Sequence, residues 1–416
     1  MPIKSLYVGN FKGIEGDQWI PLKPVTLFVG PNSSGKSSWI HALACLSQTM
    51  KLPNNRRPIS LDDEYASVHL GRFIEVIHSK SYQDAISLGV EIPDVRFPMA
   101  GPRNQFRMVT GDLRASYTFK STLRTQNTYL HTASLVVGAE RFDVRRISGR
   151  YEVSRTPAGK KVAFEQADGF LLRPIFRGGR IAMETFAMSE SLVEVQRFIQ
   201  EALRNTLYLG PFRQPPQRRY PTRGASPAEV GPQGESAVTM LANEVVQFQV
   251  RPHIKQVAGW LNLLGLAKDL EVSRVGKSDL FGVNVTLKDG DSFPLADLGY
   301  GLSQVLPVLA QCSFAPAGST LLFEQPEIHL HTLSAKPLAK VFAETARRGV
   351  TVVAETHSPQ LVWATVGAVR DGIIARHDVA LYRVTRRAKR TELQELKIED
   401  DMDVYGNWES GISAPE

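Results

Sequence analysis

Two kinds of hydrophobic pattern divide this chain. Val25-Thr26-Leu27-Phe28-Val29, Ser319-Thr320-Leu321-Leu322-Phe323 and Val350-Thr351-Val352-Val353-Ala354 are near-continuous apolar runs. Such runs predict strands buried on both faces, as in a parallel sheet covered by helices. Between about residues 85 and 155, apolar and polar positions alternate instead, as in Ile86-Ser87-Leu88-Gly89-Val90-Glu91-Ile92, Leu113 to Phe119 and Arg141 to Ile147. Period-two alternation predicts half-buried antiparallel strands. Helical spacing marks residues 191–205, with Leu192, Val195, Phe198, Ile199 and Leu203 on one face. It returns over roughly 235–268, and Trp39 to Leu46 and Val305 to Gln311 also read as helices. Val379 to Val384 reads as a strand.

The first 24 residues read as a short β-meander broken by Gly9-Asn10, Gly13 and Gly16-Asp17. Leu52-Pro53-Asn54-Asn55-Arg56-Arg57-Pro58 and the Pro-rich Gly210 to Pro216 interrupt the pattern and mark junctions. The predicted fold class is α/β, a mixed or parallel sheet with flanking helices. Its core is expected to be split between residues 1–50 and 206–416, with a β-rich insertion over 51–205 that ends in a helix. There is no heptad array, internal repeat or low-complexity tract.

Composition changes this picture little. A chain of 416 residues with 43% hydrophobic and 22% charged residues describes an ordinary globular protein of two or three structural units. No apolar run approaches the ~18–20 residues of a membrane span. Met1 to Val8 is strand-like and lacks a signal-peptide core, so a cytoplasmic location is expected. Cys45 and Cys312 sit in apolar helical stretches and are expected as reduced core thiols. The net charge of +7 is compatible with a polyanionic partner. Arg213, Arg218, Arg219 and Arg223 crowd one Pro-rich loop, and Arg383, Arg386, Arg387, Lys389 and Arg390 crowd a later segment. These read either as solvated loops or as contacts to nucleic-acid phosphates or an acidic partner.

The candidate chemistry is concentrated at the ends of the continuous apolar runs. Gly30-Pro31-Asn32-Ser33-Ser34-Gly35-Lys36-Ser37, followed by Ser38, is a complete G-x-x-x-x-G-K-[ST] loop between a predicted strand and a predicted helix. Backbone N–H groups in such a loop cradle phosphates, the lysine reaches the β/γ oxygens and the serine helps hold Mg²⁺. ATP and Mg²⁺ are therefore the expected cofactors. Glu324, in Leu322-Phe323-Glu324-Gln325-Pro326-Glu327, places a carboxylate at a buried strand end, where a second Mg²⁺ group belongs. His357, in Glu355-Thr356-His357-Ser358, ends the next core strand and is placed to sense a γ-phosphate. Leu298-Gly299-Tyr300-Gly301-Leu302-Ser303-Gln304 opens a helix with two glycines and a serine, a second anion site. Within one phosphate-loop domain it is redundant, and it makes sense if it closes over the nucleotide of a second subunit.

With Asn10-Phe11-Lys12-Gly13, these motifs resemble the ABC-type ATPases of the RecF/SMC/OLD-like group, and most of all its stand-alone bacterial AAA-family branch. Leu70-Gly71-Arg72-Phe73, Tyr208-Leu209-Gly210-Pro211-Phe212-Arg213 and Glu324 to His331 also resemble segments of that branch. The resemblance covers most of the chain and weakens between about 80 and 200. It implies a P-loop NTPase of the ABC-ATPase type, working as a homodimer or higher even oligomer. Two ATPs would lie between one subunit's phosphate loop and the other's Gly299, Gly301, Ser303 and Gln304. Several members of the branch are ATPase components of anti-phage defence systems that regulate an effector such as a nuclease.

Two departures from the family pattern bear on activity. Ordinary ABC ATPases have Asp followed by a catalytic Glu where this chain has Glu324 and Gln325. Glutamine does not accept a proton from the attacking water as a carboxylate does, although it still orients a water in some GTPases. Glu327 and His357 are the alternatives for the missing role, and slow hydrolysis is expected. The second departure is the absence of long coiled coils. The roughly 59 residues after His357 also show no acidic metal-binding nuclease domain. Glu399-Asp400-Asp401-Met402-Asp403 reads as a solvated tail, and His329 with His331 as a nucleotide-side segment rather than a zinc site.

The leading expectation is an ATP-dependent dimeric switch controlling a separate effector. The alternative is a RecF-like DNA-binding ATPase in repair. A transporter nucleotide-binding domain and a nuclease built on Glu324, Glu327 and Glu355 are the remaining classes.

Overall fold

The computed structural model describes residues 1–52, 57–100, 106–156, 160–175, 183–222, 226–398 and 404–405. The acidic run at 399–403 and Arg223 lie outside the described residues. The chain forms two compact units. One comprises Met1–Leu22, Ser37–Thr206 and Arg386–Glu392; the other comprises Lys23–Lys36, Leu207–Thr385 and Leu393–Glu416. These units cut across the three sequence segments. The meander at the N-terminus groups with the residues read as an insertion, while the phosphate-loop strand groups with the C-terminal half.

The first unit is built on a nine-stranded sheet. Ser5–Gly9 pairs antiparallel with Gln18–Pro21 on one side and with Ile86–Ala100 on the other. From Ile86–Ala100 the chain continues as an antiparallel meander through Phe106–Ser121, Thr128–Val137, Glu140–Ile147, Arg150–Thr156, Lys160–Gln166 and Leu172–Pro174. The alternation expected over 85–155 therefore becomes paired strands. Its phase changes within the first of these strands, and the structure shows why. Ile86, Leu88, Val90 and Ile92 are buried, and then Val95, Phe97 and Met99. Ile92 pairs with Leu113 and Val95 with Gly111, so three steps on one strand match two on its partner. This bulge, with Asp94 at φ 52°, keeps the apolar residues on one face when the parity shifts.

The helix expected over 191–205 is longer, Met183–Arg204. Leu192, Val195, Ile199 and Leu203 are fully buried, and the Phe198 ring lies 6.4 Å from that of Phe97. In the same unit Tyr117 packs its ring 4.2 Å from Phe170 and 6.4 Å from Phe119. Its hydroxyl is buried without a hydrogen-bond partner, and burial raises its pKa. An unsatisfied buried hydroxyl costs about 1–3 kcal/mol. Tyr117→Phe is accordingly expected to raise stability by about 1 kcal/mol, read as a higher urea midpoint at unchanged m-value.

The second unit carries a seven-stranded sheet in the order Thr206–Leu209, Thr320–Glu324, Thr351–Thr356, Val25–Val29, Val379–Arg387, Arg390–Ile398, Val404–Tyr405. Thr320–Glu324, Thr351–Thr356, Val25–Val29 and Val379–Arg387 are mutually parallel. Every residue of the first three of these strands is buried, as their continuous apolar runs require. Helices Ala237–Gln247, Pro252–Leu263, Tyr300–Phe314, Leu338–Arg347 and Pro359–Arg370 contribute to its core. A smaller sheet pairs Asp269–Arg274, Tyr220–Pro221 and Ser292–Pro294 with Leu280–Thr286. Cys45 and Cys312 are buried free thiols. Among the described residues no helix is long and apolar enough to cross a membrane.

Candidate nucleotide-binding site

Parallel strands that end at one edge of a sheet bring their following turns together, and ligands of open α/β sheets sit at that edge. Val29 runs into the phosphate loop, Glu324 ends its strand, and Glu355 and Thr356 end the strand between them. Register pairs Glu324 with Glu355, and Thr356 with Val29. Candidate residues some 300 positions apart in sequence thus meet at one sheet edge.

The loop has the backbone its glycines permit. Ser33 sits at φ 60° and Gly35 at φ 100°, both left-handed. A Cβ at Gly30 would lie 2.2 Å from the Val384 carbonyl oxygen, so only glycine fits there. Pro31, Asn32 and Ser33 are exposed, Gly35 and Ser37 half-buried, and Ser34, Lys36 and Ser38 buried. Lys36 opens the helix Lys36–Lys51, which places the loop at a helix N-terminus. Its ammonium donates to the Pro31 carbonyl at 2.8 Å. Burial lowers its pKa, and Glu355 and then Glu327 oppose that fall.

The acidic side is organised around Glu324 and Glu327. Glu324 is buried and accepts a hydrogen bond from the Tyr208 hydroxyl at 2.5 Å. One Glu327 oxygen accepts from the Thr356 hydroxyl and from the His357 backbone N–H, at 2.5 and 3.2 Å. Its other oxygen is buried without a partner. Burial raises the Glu327 pKa, against the Thr356 and His357 hydrogen bonds and the charge of Arg213. Gln325 is half-buried at φ 46°, and its N–H donates to the Glu355 carbonyl at 3.0 Å. The His357 imidazole has a lowered pKa, first through burial and then through the Lys36 charge, while a hydrogen bond with the Gly30 backbone opposes the fall. It is therefore neutral at pH 7 and suited to share a proton with a phosphate oxygen.

The donor set suits Mg²⁺, a hard cation that takes oxygen ligands and is held by few protein groups together with phosphates. Glu324 and the Ser37 hydroxyl are the residues that would hold it, and Mg²⁺ would supply charge neutralisation at the phosphates. Among the described residues no cluster of three or more His, Cys, Asp or Glu side chains could hold a metal alone. His329 and His331 are exposed, and His331 instead accepts from the Leu333 N–H at 3.3 Å, capping Thr332–Ala335.

Gly299 to Gln304 opens the helix Tyr300–Phe314, with Gly299 at its N-cap. Its two glycines differ in kind. A Cβ at Gly301 would lie 2.8 Å from the His329 carbonyl oxygen, whereas one at Gly299 would meet nothing within 4 Å. Ser303 and Gln304 are buried, and the Ser303 hydroxyl donates to the Tyr300 carbonyl at 2.9 Å.

Arg213, grouped by sequence in a basic loop either solvated or in contact with nucleic-acid phosphates or an acidic partner, is instead buried and donates to three backbone carbonyls, those of Gln304, Glu324 and Gln325, each at 3.1 Å. Arg218 pairs with Asp297 at 2.6 Å, and in the later basic segment Arg387 pairs with Glu392 and Arg390 with Glu15. Tyr208 and Arg213 are also the residues that sequence reasoning did not place at this site. Tyr208 stood out only through family resemblance and Arg213 through that and the basic loop, because nothing local shows which atoms they reach.

Two family models match the sequence. Residues 196–362 match the family described as "AAA domain, putative AbiEii toxin, Type IV TA system". Residues 1–134 match the family described as "AAA ATPase domain". The second stretch holds the phosphate loop, and the first holds Gly299–Gln304, Glu324–Glu327 and Glu355–His357. This chain is a P-loop ATPase. Among solved structures, the SMC head domain from Thermotoga maritima is similar at 11% identity, covering 96% of this chain and 100% of that chain, with a TM-score of 0.40. A Smc head domain with an extended coiled coil, bound to the C-terminal domain of ScpA derived from Pyrococcus furiosus, matches at 11% identity over 96% and 98%, with a TM-score of 0.45. An SmcHead bound to the C-winged helix domain of ScpA matches at 12% identity over 97% and 99%, also at 0.45. No curated protein matches the chain by sequence.

Proposed function

We propose that this ATPase is a slow, ATP-held dimeric switch that regulates a partner effector, a nuclease being the class expected, in defence against foreign DNA. The dimer reading is carried by Gly299. Its lack of a side chain answers no packing need within the chain, since the space where a Cβ would stand is open. That leaves the N-terminus of the helix Tyr300–Phe314, the signature helix of this reading, free to meet an anion from outside. Exposed apolar side chains on the same unit support an outside partner, with Phe212 at 85% and Tyr300 at 65% exposure. Slow turnover is supported by Gln325, and the defence setting by the AbiEii description of the family matching residues 196–362.

In this reading Lys36 and the loop N–H groups bind the phosphates, Glu324 and Ser37 hold the cation, and His357 reports the γ-phosphate. Native mass measurement with and without a non-hydrolysable ATP analogue tests the switch. The expected result is an analogue-dependent shift from monomer to dimer, absent in Gly299→Trp, which fills the open space. A mass independent of nucleotide in the wild type sinks the reading. Co-purification from the native host under the same two conditions identifies the effector. The DNA-binding alternative predicts instead a steep fall of DNA affinity with salt, log K changing by about −0.9 per phosphate contact per log unit of salt.

A further inference from the structure

The end of the strand Thr206–Leu209 and the turn after it form a segment that the nucleotide chemistry above does not use, Tyr208 to Arg213. Both its ends reach Glu324. The Tyr208 hydroxyl donates to the Glu324 carboxylate at 2.5 Å. The Arg213 guanidinium donates to the Glu324 carbonyl, and through the same nitrogen to the Gln325 carbonyl, both at 3.1 Å. Its other terminal nitrogen donates to the carbonyl of Gln304, in the signature helix, again at 3.1 Å. The segment is itself pinned. Gly210 N–H donates to Pro232 at 2.8 Å and Gln214 N–H to Gln233 at 2.9 Å.

This is an expensive way to fill space. Burying a guanidinium carries a desolvation penalty of several kcal/mol, and apolar residues pack such a site at less cost. Here the rigid planar fork spans carbonyls from two separate elements, which a compact ammonium does not do. Two of the carbonyls it takes, those of Glu324 and Gln325, lie where the chain leaves the strand and turns through φ 46° at Gln325. They are therefore groups whose position the sheet ladder alone does not fix.

We propose that Tyr208–Arg213 is a clamp joining the cation-side carboxylate Glu324 to the signature helix, with Tyr208 and Arg213 as positioning residues for ATP hydrolysis. Tyr208 orients the carboxylate, and Arg213 holds the strand end in register with the helix at Gln304. The proposal builds on the dimer reading in one respect: if the signature serves the other subunit's nucleotide, the clamp links the two ATP sites. Misplacing a reacting group by about 1 Å costs on the order of 10²-fold in rate, whereas binding depends on it far less.

The test uses the full chain and N-methylanthraniloyl-ATP. Arg213→Lys is expected to bind the analogue within about threefold of wild type while kcat falls about 10–100-fold. Arg213→Ala is expected to regain part of that rate in millimolar guanidinium, which a merely structural role would not produce. Tyr208→Phe removes only an oxygen. It should leave metal-free analogue binding unchanged and raise the Mg²⁺ needed for half-maximal tight binding about 10-fold, as loss of an orienting partner does. The clamp is overturned if Arg213→Lys keeps the wild-type kcat. It is equally overturned if analogue affinity, melting temperature and kcat fall together with no guanidinium recovery, or if the Mg²⁺ requirement of Tyr208→Phe is unchanged. A wild-type protein that hydrolyses ATP without dimerising removes the switch reading and leaves these comparisons intact.

Discussion

Lys36→Ala is expected to reduce ATP hydrolysis at least 10²-fold, to the background of a coupled phosphate-release assay. In the proposed reading the ammonium is the phosphate-loop group that brings a positive charge to the β/γ oxygens, and removing one such stabilising donor costs about 2.7–4 kcal/mol of activation free energy. The side chain is held within the loop. It is buried, donates to Pro31 at 2.8 Å and sits in the field of Glu355 and Glu327. Little reorganisation is then needed when phosphates arrive, because the lysine exchanges a carbonyl for a stronger anion. The variant should keep its fold by circular dichroism, since the loop's left-handed positions at Ser33 and Gly35 do not depend on the lysine. A variant that hydrolyses ATP at more than a tenth of the wild-type rate contradicts this assignment.

The second large effect concerns which group accepts the proton from water. Gln325 stands where a catalytic glutamate is usual, and the half-buried Glu327 lies two residues on, its second oxygen buried without a partner. Glu327→Gln is expected to lower kcat 10²–10⁴-fold, the range for losing a positioned general base. Gln325→Glu should raise it at least tenfold. The Gln325 backbone is already fixed by its bond to Glu355 and by Arg213, so the added charge alters no fold contact of the main chain. If Glu327→Gln hydrolyses like wild type, His357 is left as the remaining candidate.

Glu327→Gln also carries a signed pH signature in stability. Burial raises the carboxyl above its ordinary 4.5, against Thr356, His357 and Arg213. As pH rises from 4.5 toward the folded value, the unfolded chain loses its proton first, so the folded state holds more protons and stability falls. Below 4.5 both states are protonated and the penalty is absent. The variant should thus melt higher than wild type at pH 7, and the gap should close as pH falls below about 4.5. Lys36, Glu324, Glu355 and His357, which also titrate at this edge, remain in both proteins.

The parts of this protein that could be read from consecutive residues were those whose physics is local. A strand, a glycine turn and a helix start within Val25 to Leu46 are enough to specify a phosphate cradle, because the atoms that bind belong to neighbouring backbone units. Burial on both faces likewise writes itself as continuous apolar runs, and Thr320–Glu324 and Thr351–Thr356 are indeed wholly buried and parallel. The bulge between Ile92 and Val95 was not read from the sequence, since pairing with Leu113 and Gly111 is needed to see it as one extra residue. Other features belong to the tertiary structure alone. The grouping of Met1–Leu22 with Ser37–Thr206 depends on Ser5–Gly9 choosing Ile86–Ala100 as partner. Arg213 looked like one more surface arginine in a Pro-rich loop, and the fold turned it into a buried tie. Its acceptors are main-chain carbonyls 91 to 112 residues away. Every residue has such a carbonyl, so no side chain marks the ones that will be used, and only the folded chain selects them.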